Sequence, residues 1–460
     1  MVARPHAERD RKVVHIAMGG FALALRWFTW WEAALLASAA VLFNLFVLHR
    51  LAVHLYRPGE LTGSARSGIV LYPMSVLVLV LLFPTRLDIA GAAWAILAVG
   101  DGMATVVGTG IRSGRIPWNR EKSIAGTLAL FMSGALAGTF VAWWCRPNVT
   151  PTPELWFSIA GPIVAALVAA LVETIPSRLD DNISVPASAA GVLWALTLVR
   201  SDLVGPALAA AVEALALATA VNVAVAWAGF KAGTVNLSGA VAGTVIGILI
   251  AVTSGWAGWV LLMATFLAAS ITSRLGLRRK TLLGINEERG GRRGAGNAIA
   301  NTGVAVVASL LSVVTDSQDL ALLAFVTALV AGGSDTVASE IGKAWGKATY
   351  LVSTLRRVPP GTSGAMSLEG TAGGIVGACA LAGIAIAVGL IPGGALFPVV
   401  LGATFGSLAE SLLGATLEAP GILNNDMLNF LNTAIAAAVA VLVVIFGVTL
   451  GASSAAGLTP

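Results

Sequence analysis

Six carboxylates lie inside or at the ends of runs that are otherwise apolar: Asp101, Glu173, Glu213, Asp335, Glu340 and Glu410. A charged side chain within a bilayer costs several kcal/mol unless it faces a polar cavity, so each marks a candidate site. Their surroundings recur. GDGMATVVG sets Asp101, Thr105 and Gly108 at i, i+4 and i+7, and SDTVASEIG sets Asp335, Ser339 and Gly342 at the same spacing, each set on one helix face. Beyond a basic loop, Ser123, Gly126 and Thr127 of SIAGT are matched by Ser367, Gly370 and Thr371 of SLEGT. One helix later, Glu173-Thr174 precedes Asp181-Asn182, and Glu410-Ser411 precedes Asn425-Asp426. Small residues alone would serve close helix packing; they do not account for carboxylates placed twice in the same order.

The chemistry these residues suit is metal-assisted phosphoryl transfer, in which carboxylates hold Mg²⁺ while Lys, Arg, hydroxyls and backbone N–H groups take phosphate oxygens. In the first half the metal side falls to Asp101, Glu173 and Asp181, and the phosphate side to Arg120, Lys122, Ser123 and Thr127. In the second half Asp335, Glu340, Glu410 and Asp426 face the metal, and Arg356, Arg357, Thr362, Ser363 and Ser367 the phosphates. Asp101 is the nearest candidate for a base. The tract VPPGTSGAMSLEGT from Val358 to Thr371 has the turn formers and hydroxyls of a phosphate-cradling loop, and equally of a plain re-entrant turn. Glu213 has no counterpart in the other half and is expected in a helix–helix hydrogen bond. GxxxxGK[ST], HExxH and CxxC are absent, and His6, His15, His49 and His54 lack metal-ligand spacing.

The elements that must position these groups are membrane helices. Of 460 residues, 57% are hydrophobic and 11% charged, with mean hydropathy +0.87, a balance that excludes a soluble chain. Cys145 and Cys379, both beside or within apolar runs, exclude a disulfide framework. Apolar segments are expected at about 13–28, 33–48, 67–84, 89–109, 124–144, 155–175, 185–199, 203–227, 237–253, 256–273, 295–313, 320–342, 371–391, 394–411 and 429–451, about fifteen crossings in an all-α polytopic protein. The first is not read as a secretory signal, because no small-residue cleavage pattern follows it. With the N-terminus inside, all of the 28 basic residues except Arg26, Arg86, Arg146 and Arg200 fall on one side. That places the N-terminus and both sets of motifs in the cytoplasm and the C-terminus outside. The motif sets stand about eight helices apart, an even number, so the two halves form a parallel repeat, divided as 1–228 and 229–460.

The first half carries RKVVH, GDGMATVVG, PWNREKSIAGT and VETIPSRLDDNISVP. In that order they resemble phytol kinase and, more distantly, dolichol kinase and the membrane cytidylyltransferases. From Lys231 to about Thr433, KAGTVNLSGAVAG, GRRGAGNAIANTG, SDTVASEIG, VPPGTSGAMSLEGT, ESLLGATLE and NNDMLNFLNT resemble the phytyl phosphate kinase family. Glu410 departs from that pattern, which has Asp before Ser-Leu-Leu-Gly. The two resemblances imply phosphorylation of a prenyl alcohol such as phytol or geranylgeraniol to its monophosphate and then its diphosphate. The donor would be CTP, or UTP or ATP, with Mg²⁺. They imply a catalytic set of Asp101, Lys122, Glu173, Asp335, Glu340 and Glu410. They add Lys12, His15, Gly126, Asn182, Arg293, Asn297, Asn301, Ser339 and Asn425 to the donor-binding residues. The expected partners are prenyl lipids, a nucleoside triphosphate and the membrane of a bacterium or archaeon, with no nucleic acid; oligomeric state is open. The alternatives are a cytidylyltransferase forming a CDP-lipid and a secondary transporter. Parallel rather than inverted repeats weigh against the transporter.

Overall fold

The computed structural model describes residues 5–51, 67–284, 292–418 and 420–456. Arg4, Arg57, Arg66, Arg289 and His54 lie outside them. The chain divides into two compact units, Met1–Thr197 and Leu198–Pro460. This division precedes the 228/229 boundary read from the sequence, because the long helix Ser201–Lys231 packs on the helix that follows it.

The first unit contains α1 (Pro5–Met18), α2 (Trp30–Phe43), α3 (His49–Leu51), α4 (Gly68–Leu82), α5 (Leu87–Ala95), α6 (Gly102–Gly110), α7 (Ile124–Cys145), α8 (Leu155–Glu173) and α9 (Asp181–Thr197). A π-turn over Ile96–Asp101 joins α5 to α6, and a hairpin of β1 (Arg115–Ile116) and β2 (Asn119–Ser123) precedes α7. The second unit runs α10 (Ser201–Lys231), α11 (Leu237–Thr253), α12 (Gly255–Arg274), α13 (Leu277–Leu282), α14 (Ala295–Ser312) and α15 (Gln318–Trp345). A three-stranded antiparallel sheet follows, ordered β4 (Arg357–Val358), β3 (Thr349–Leu351), β5 (Ala365–Ser367), and then α16 (Leu368–Ala387), α17 (Leu396–Leu413) and α18 (Asn425–Ala456).

Among the described residues eleven helices are long and apolar enough to cross a membrane, and α4 and α11 are shorter apolar helices. The other two expected segments, 13–28 and 185–199, fall on α1 with the 3₁₀ turn after it and on α9. The fold is therefore all-α and polytopic. In each unit one helix is enclosed by the others: 72% of the apolar window in Leu87–Gly110 and 67% of that in Gln318–Trp345 is buried, against at most 44% elsewhere. These two central helices carry Asp101 and Asp335. Ile96 and Leu97 of the first central helix share a buried core with Leu130 and Ala166, and Phe325 and Leu329 of the second share one with Ala382 and Val399.

The four basic residues off the main charge map each have a local partner. Arg26 lies over the Trp144 ring, Arg86 grips the buried Asp88 with two hydrogen bonds, Arg146 donates to Pro153 O, and Arg200 pairs with Asp202 and Asp316. Glu213 is exposed on α10, and among the described residues it holds no helix–helix hydrogen bond.

Both SxxGT motifs start a helix in the same way. Ser123 Oγ accepts from Gly126 N at 3.2 Å and Ser367 Oγ from Gly370 N at 3.1 Å, each satisfying an N-terminal donor of α7 or α16. The glycines allow close contact with the Asp-bearing helix: a Cβ on Gly126 would stand 3.0 Å from Ala104 O, and one on Gly370 would stand 2.7 Å from Ala338 O. Ser367→Ala should therefore cost about 1 kcal/mol, whereas Gly370→Val forces α16 off α15 and should cost more. Thermal unfolding in detergent checks the ranking, and equal effects would contradict the close-contact role.

Candidate functional site

In the first unit the π-turn ends on Asp101, a local widening that is frequent at functional positions. α1 reaches this point because Gly102 has no side chain: a Cβ there would lie 2.4 Å from Ile16 Cγ1. Lys12 and His15, three apart on one face of α1, both meet Asp101. Lys12 Nζ is 2.6 Å and His15 Nε2 3.5 Å from Asp101 Oδ2, and the imidazole also lies 3.3 Å from Leu97 O. Tyr72 steadies α1: its hydroxyl donates to His15 O and accepts from Trp94 Nε1, and its ring packs edge-on to His15.

The hairpin supplies the other cation. Trp118 Nε1 donates to Thr174 Oγ1 at 3.1 Å, tying the hairpin to the end of α8, and Lys122 on β2 reaches Glu173 at 2.6 Å and Asp181 at 3.0 Å. Burial opposes charge on Lys122, but Asp181 and Glu173 outweigh it and hold its pKa above the ordinary lysine value. Arg120, two residues back on the same strand face, is exposed. Oxygens of Asp101, Glu173 and Asp181 all lie within 4.8 Å of one another. Three carboxylates beside two ammonium groups leave one net negative charge, and the all-oxygen donor set suits a small hard cation. Thr127 Oγ1 and Asn182 Oδ1 are buried without hydrogen-bond partners among the described residues.

The second unit is built differently around the same Asp face. A cavity of about 270 Å³ is bounded by α15, the Pro360–Ser367 tract, α17 and the start of α18. It gathers Asp335, Ser339, Thr362, Ser363, Ser367, Glu410 and Asn425, all expected at the site, together with Lys343, Ser407, Ser411 and Glu418. Ser407 Oγ donates to Asp335 Oδ1 at 2.7 Å, Ser363 donates to Glu418, and Glu410 Oε2 is buried with no partner among the described residues. Asp335 and Glu410 suit a hard cation by donor type, although among the described residues no three acids converge here as they do in the first unit.

Several expected residues lie elsewhere. Glu340, five residues after Asp335 and so on another face of α15, forms a buried ion-pair network with Lys280 at 2.5 Å and Lys343 at 2.9 Å. Arg356 and Arg357 are exposed on the outer strand side, with Arg357 donating to Lys347 O. Asp426 sits against Gly296 of α14. Arg293 donates to Ser273 Oγ, and Asn301 donates to Asn297 O along its own helix. Gly126 serves helix contact with Ala104 and Gly108.

Sequence reasoning gave no site role to Ser407, Ser411 or Glu418; with Gly414 they recur at steps of three and four residues along α17 and the turn after it, which is the signal that could have found them. It also read Lys280 only as a topogenic charge. Lys280 is 1% exposed and donates to Ser273 O as well as Glu340, while neighbouring Arg279 caps Ala344 O and Gly346 O at the end of α15.

A polytopic helical membrane protein with buried carboxylate sites is the class that fold and geometry define. Residues 220–437 match the family described as integral membrane protein DUF92, and the chain belongs to that family. It is 38% identical over 200 residues to an uncharacterized membrane protein of Synechocystis, covering 43% of this chain and 78% of that protein. It is 36% identical over 214 residues to Protein VTE6, chloroplastic, of Arabidopsis thaliana, covering 45% and 64%. A probable phytol kinase, chloroplastic, of Triticum aestivum is 32% identical over 199 residues, covering 38% of this chain and 63% of that protein. No solved structure matches.

Lys280→Met removes one of two cations from a carboxylate buried in the bundle, a change that typically costs 3–5 kcal/mol for a buried pair. Lys343, 28% exposed at its side chain, should cost less as Lys343→Met. Thermal unfolding of the two variants checks the order, and a harmless Lys280→Met would contradict the role given to the pair.

Proposed function

We propose that the protein is a bifunctional membrane kinase, the first unit phosphorylating a prenyl alcohol and the second its monophosphate, with CTP or a related nucleoside triphosphate as donor and Mg²⁺ as cofactor. The observation that carries this reading is the recurrence, within each unit, of an Asp on the central helix packed through glycines against a serine-capped helix. The repeated order alone would suit packing; the added cations at one site and the hydroxyl-lined cavity at the other suit phosphate. The relatives named probable phytol kinases support the substrate class.

In the first reaction the alcohol oxygen forms a bond to the γ-phosphorus and the bond from that phosphorus to the β,γ-bridging oxygen breaks, releasing the nucleoside diphosphate. The hydroxyl proton goes to Asp101. Lys122 and Lys12 place positive charge where the leaving diphosphate gains negative charge. Asp101, Glu173 and Asp181 would hold the divalent ion, which supplies charge neutralisation on the donor phosphates. In the second reaction the attacking oxygen belongs to a monophosphate, which is largely ionised near neutral pH with a second pKa of about 6, so no base is needed. Asp335 and Glu410 would hold the ion there, and Ser363, Ser367 and the surrounding backbone would meet phosphate oxygens. The prenyl tail keeps the intermediate in the bilayer, where it can diffuse from one site to the other.

Asp101→Asn is expected to abolish alcohol phosphorylation while sparing phosphorylation of supplied prenyl monophosphate, and Asp335→Asn to do the reverse. Loss of both activities in either folded variant would contradict two independent sites. Lys122→Ala should lower turnover of the alcohol by about 10²-fold or more and leave monophosphate turnover unchanged; steady-state kinetics with each substrate measures this.

A further inference from the structure

Beside the polar cavity of the second unit runs a narrower crevice of about 30 Å³ whose walls are mostly apolar. Gly374, Ile375 and Ala378 of α16 face Ala403 and Thr404 of α17 across it. The two spaces meet at Asp335 and Ser407, which line both. α16 packs chiefly on α15 and α17 chiefly on α18, so the seam between α16 and α17 is the lightly packed one. Its outer flank carries exposed Phe405 and Leu408, as expected of a surface turned to lipid.

We propose that this crevice is the path of the lipid chain. The second site would hold a monophosphate head in the polar cavity, while the first isoprene units of its tail pass between α16 and α17 toward the bilayer. This rests on the kinase reading and adds how the substrate is held and selected. The larger space is lined by hydroxyls and carboxylates suited to phosphates, while the crevice beside it is apolar and narrow, so a chain entering it must part α16 from α17.

A tail leaving lipid for an apolar groove gains little hydrophobic free energy, since lipid is already as apolar as the groove. The crevice therefore selects by shape. Ala378 and Ala403, buried at 1% and 2% exposure, set its width, and enlarging either blocks a chain without touching the phosphate side.

The test uses full-length protein in detergent micelles with Ala378→Leu and Ala403→Leu made separately. Geranylgeranyl monophosphate and the short dimethylallyl monophosphate are compared as acceptors, and thermal unfolding of each variant against wild type serves as the folding control. Each variant is expected to lose about tenfold or more in kcat/KM for the long acceptor, mainly through KM, with the short acceptor little changed. Equal losses for both acceptors, or no loss for either, would overturn the tail path.

A second measurement does not depend on turnover. A geranylgeranyl monophosphate carrying a diazirine in its first isoprene unit should label α16 or α17 near Ala378 and Ala403 on illumination; labelling elsewhere would overturn the proposal. If this labelling occurs while neither monophosphate is phosphorylated by wild-type protein, the kinase reading fails and the tail path stands.

Discussion

Each unit places an aspartate in its most enclosed helix, and the surrounding structure follows from the cost of burying that charge. Low-dielectric burial of an unpaired carboxylate is prohibitive. The first unit meets the cost with ammonium groups: α1 is held against Gly102 so that Lys12 reaches Asp101, and the β1–β2 hairpin is pinned by Trp118 so that Lys122 reaches Glu173 and Asp181. The second unit gives Asp335 a serine hydroxyl and an open polar cavity. Lys280 and Lys343 go instead to Glu340 on another face of α15, where they fasten the helix end beside that cavity.

The small residues determine how closely these parts approach. Gly108 with Gly126, and Gly342 with Gly370, bring the capped starts of α7 and α16 against the Asp-bearing helices. The N-terminus of a helix carries partial positive charge and exposed N–H groups. Each site is thus assembled from a buried acid, a helix start and a short β-structured loop. Catalysis by positioning and electrostatics, as in phosphoryl transfer, asks for little more from a protein than such fixed groups.

The helical segments were legible because apolar runs in a membrane protein need no amphipathic pattern, only length. Asp101, Glu173 and Asp181 were legible as a set because charge is so scarce in this chain, and the structure brings them together. The pairing of basic residues was not legible. Lys12, Lys280 and Lys343 lie at the edges of apolar runs in the sequence, where a positive charge is already explained by topology, so sequence alone does not separate an orienting charge from a structural counter-ion. In the second unit Glu340 follows Asp335 closely in sequence but lies outside the cavity, in an ion pair with Lys280, whereas Ser407 and Glu418, given no role in the sequence reading, line it. The π-turn at Asp101 leaves no signature in residue type, because it inserts a residue into the helical spacing without changing composition.

The central claim is that one chain carries out two successive phosphorylations. The most direct measurement follows purified protein supplied with geranylgeraniol, CTP and Mg²⁺, with lipid products identified by mass over time. The account predicts that monophosphate appears first and diphosphate follows at its expense, with CDP released at each step. A cytidine-containing lipid, or no phosphorylated lipid from any prenyl alcohol, would contradict it.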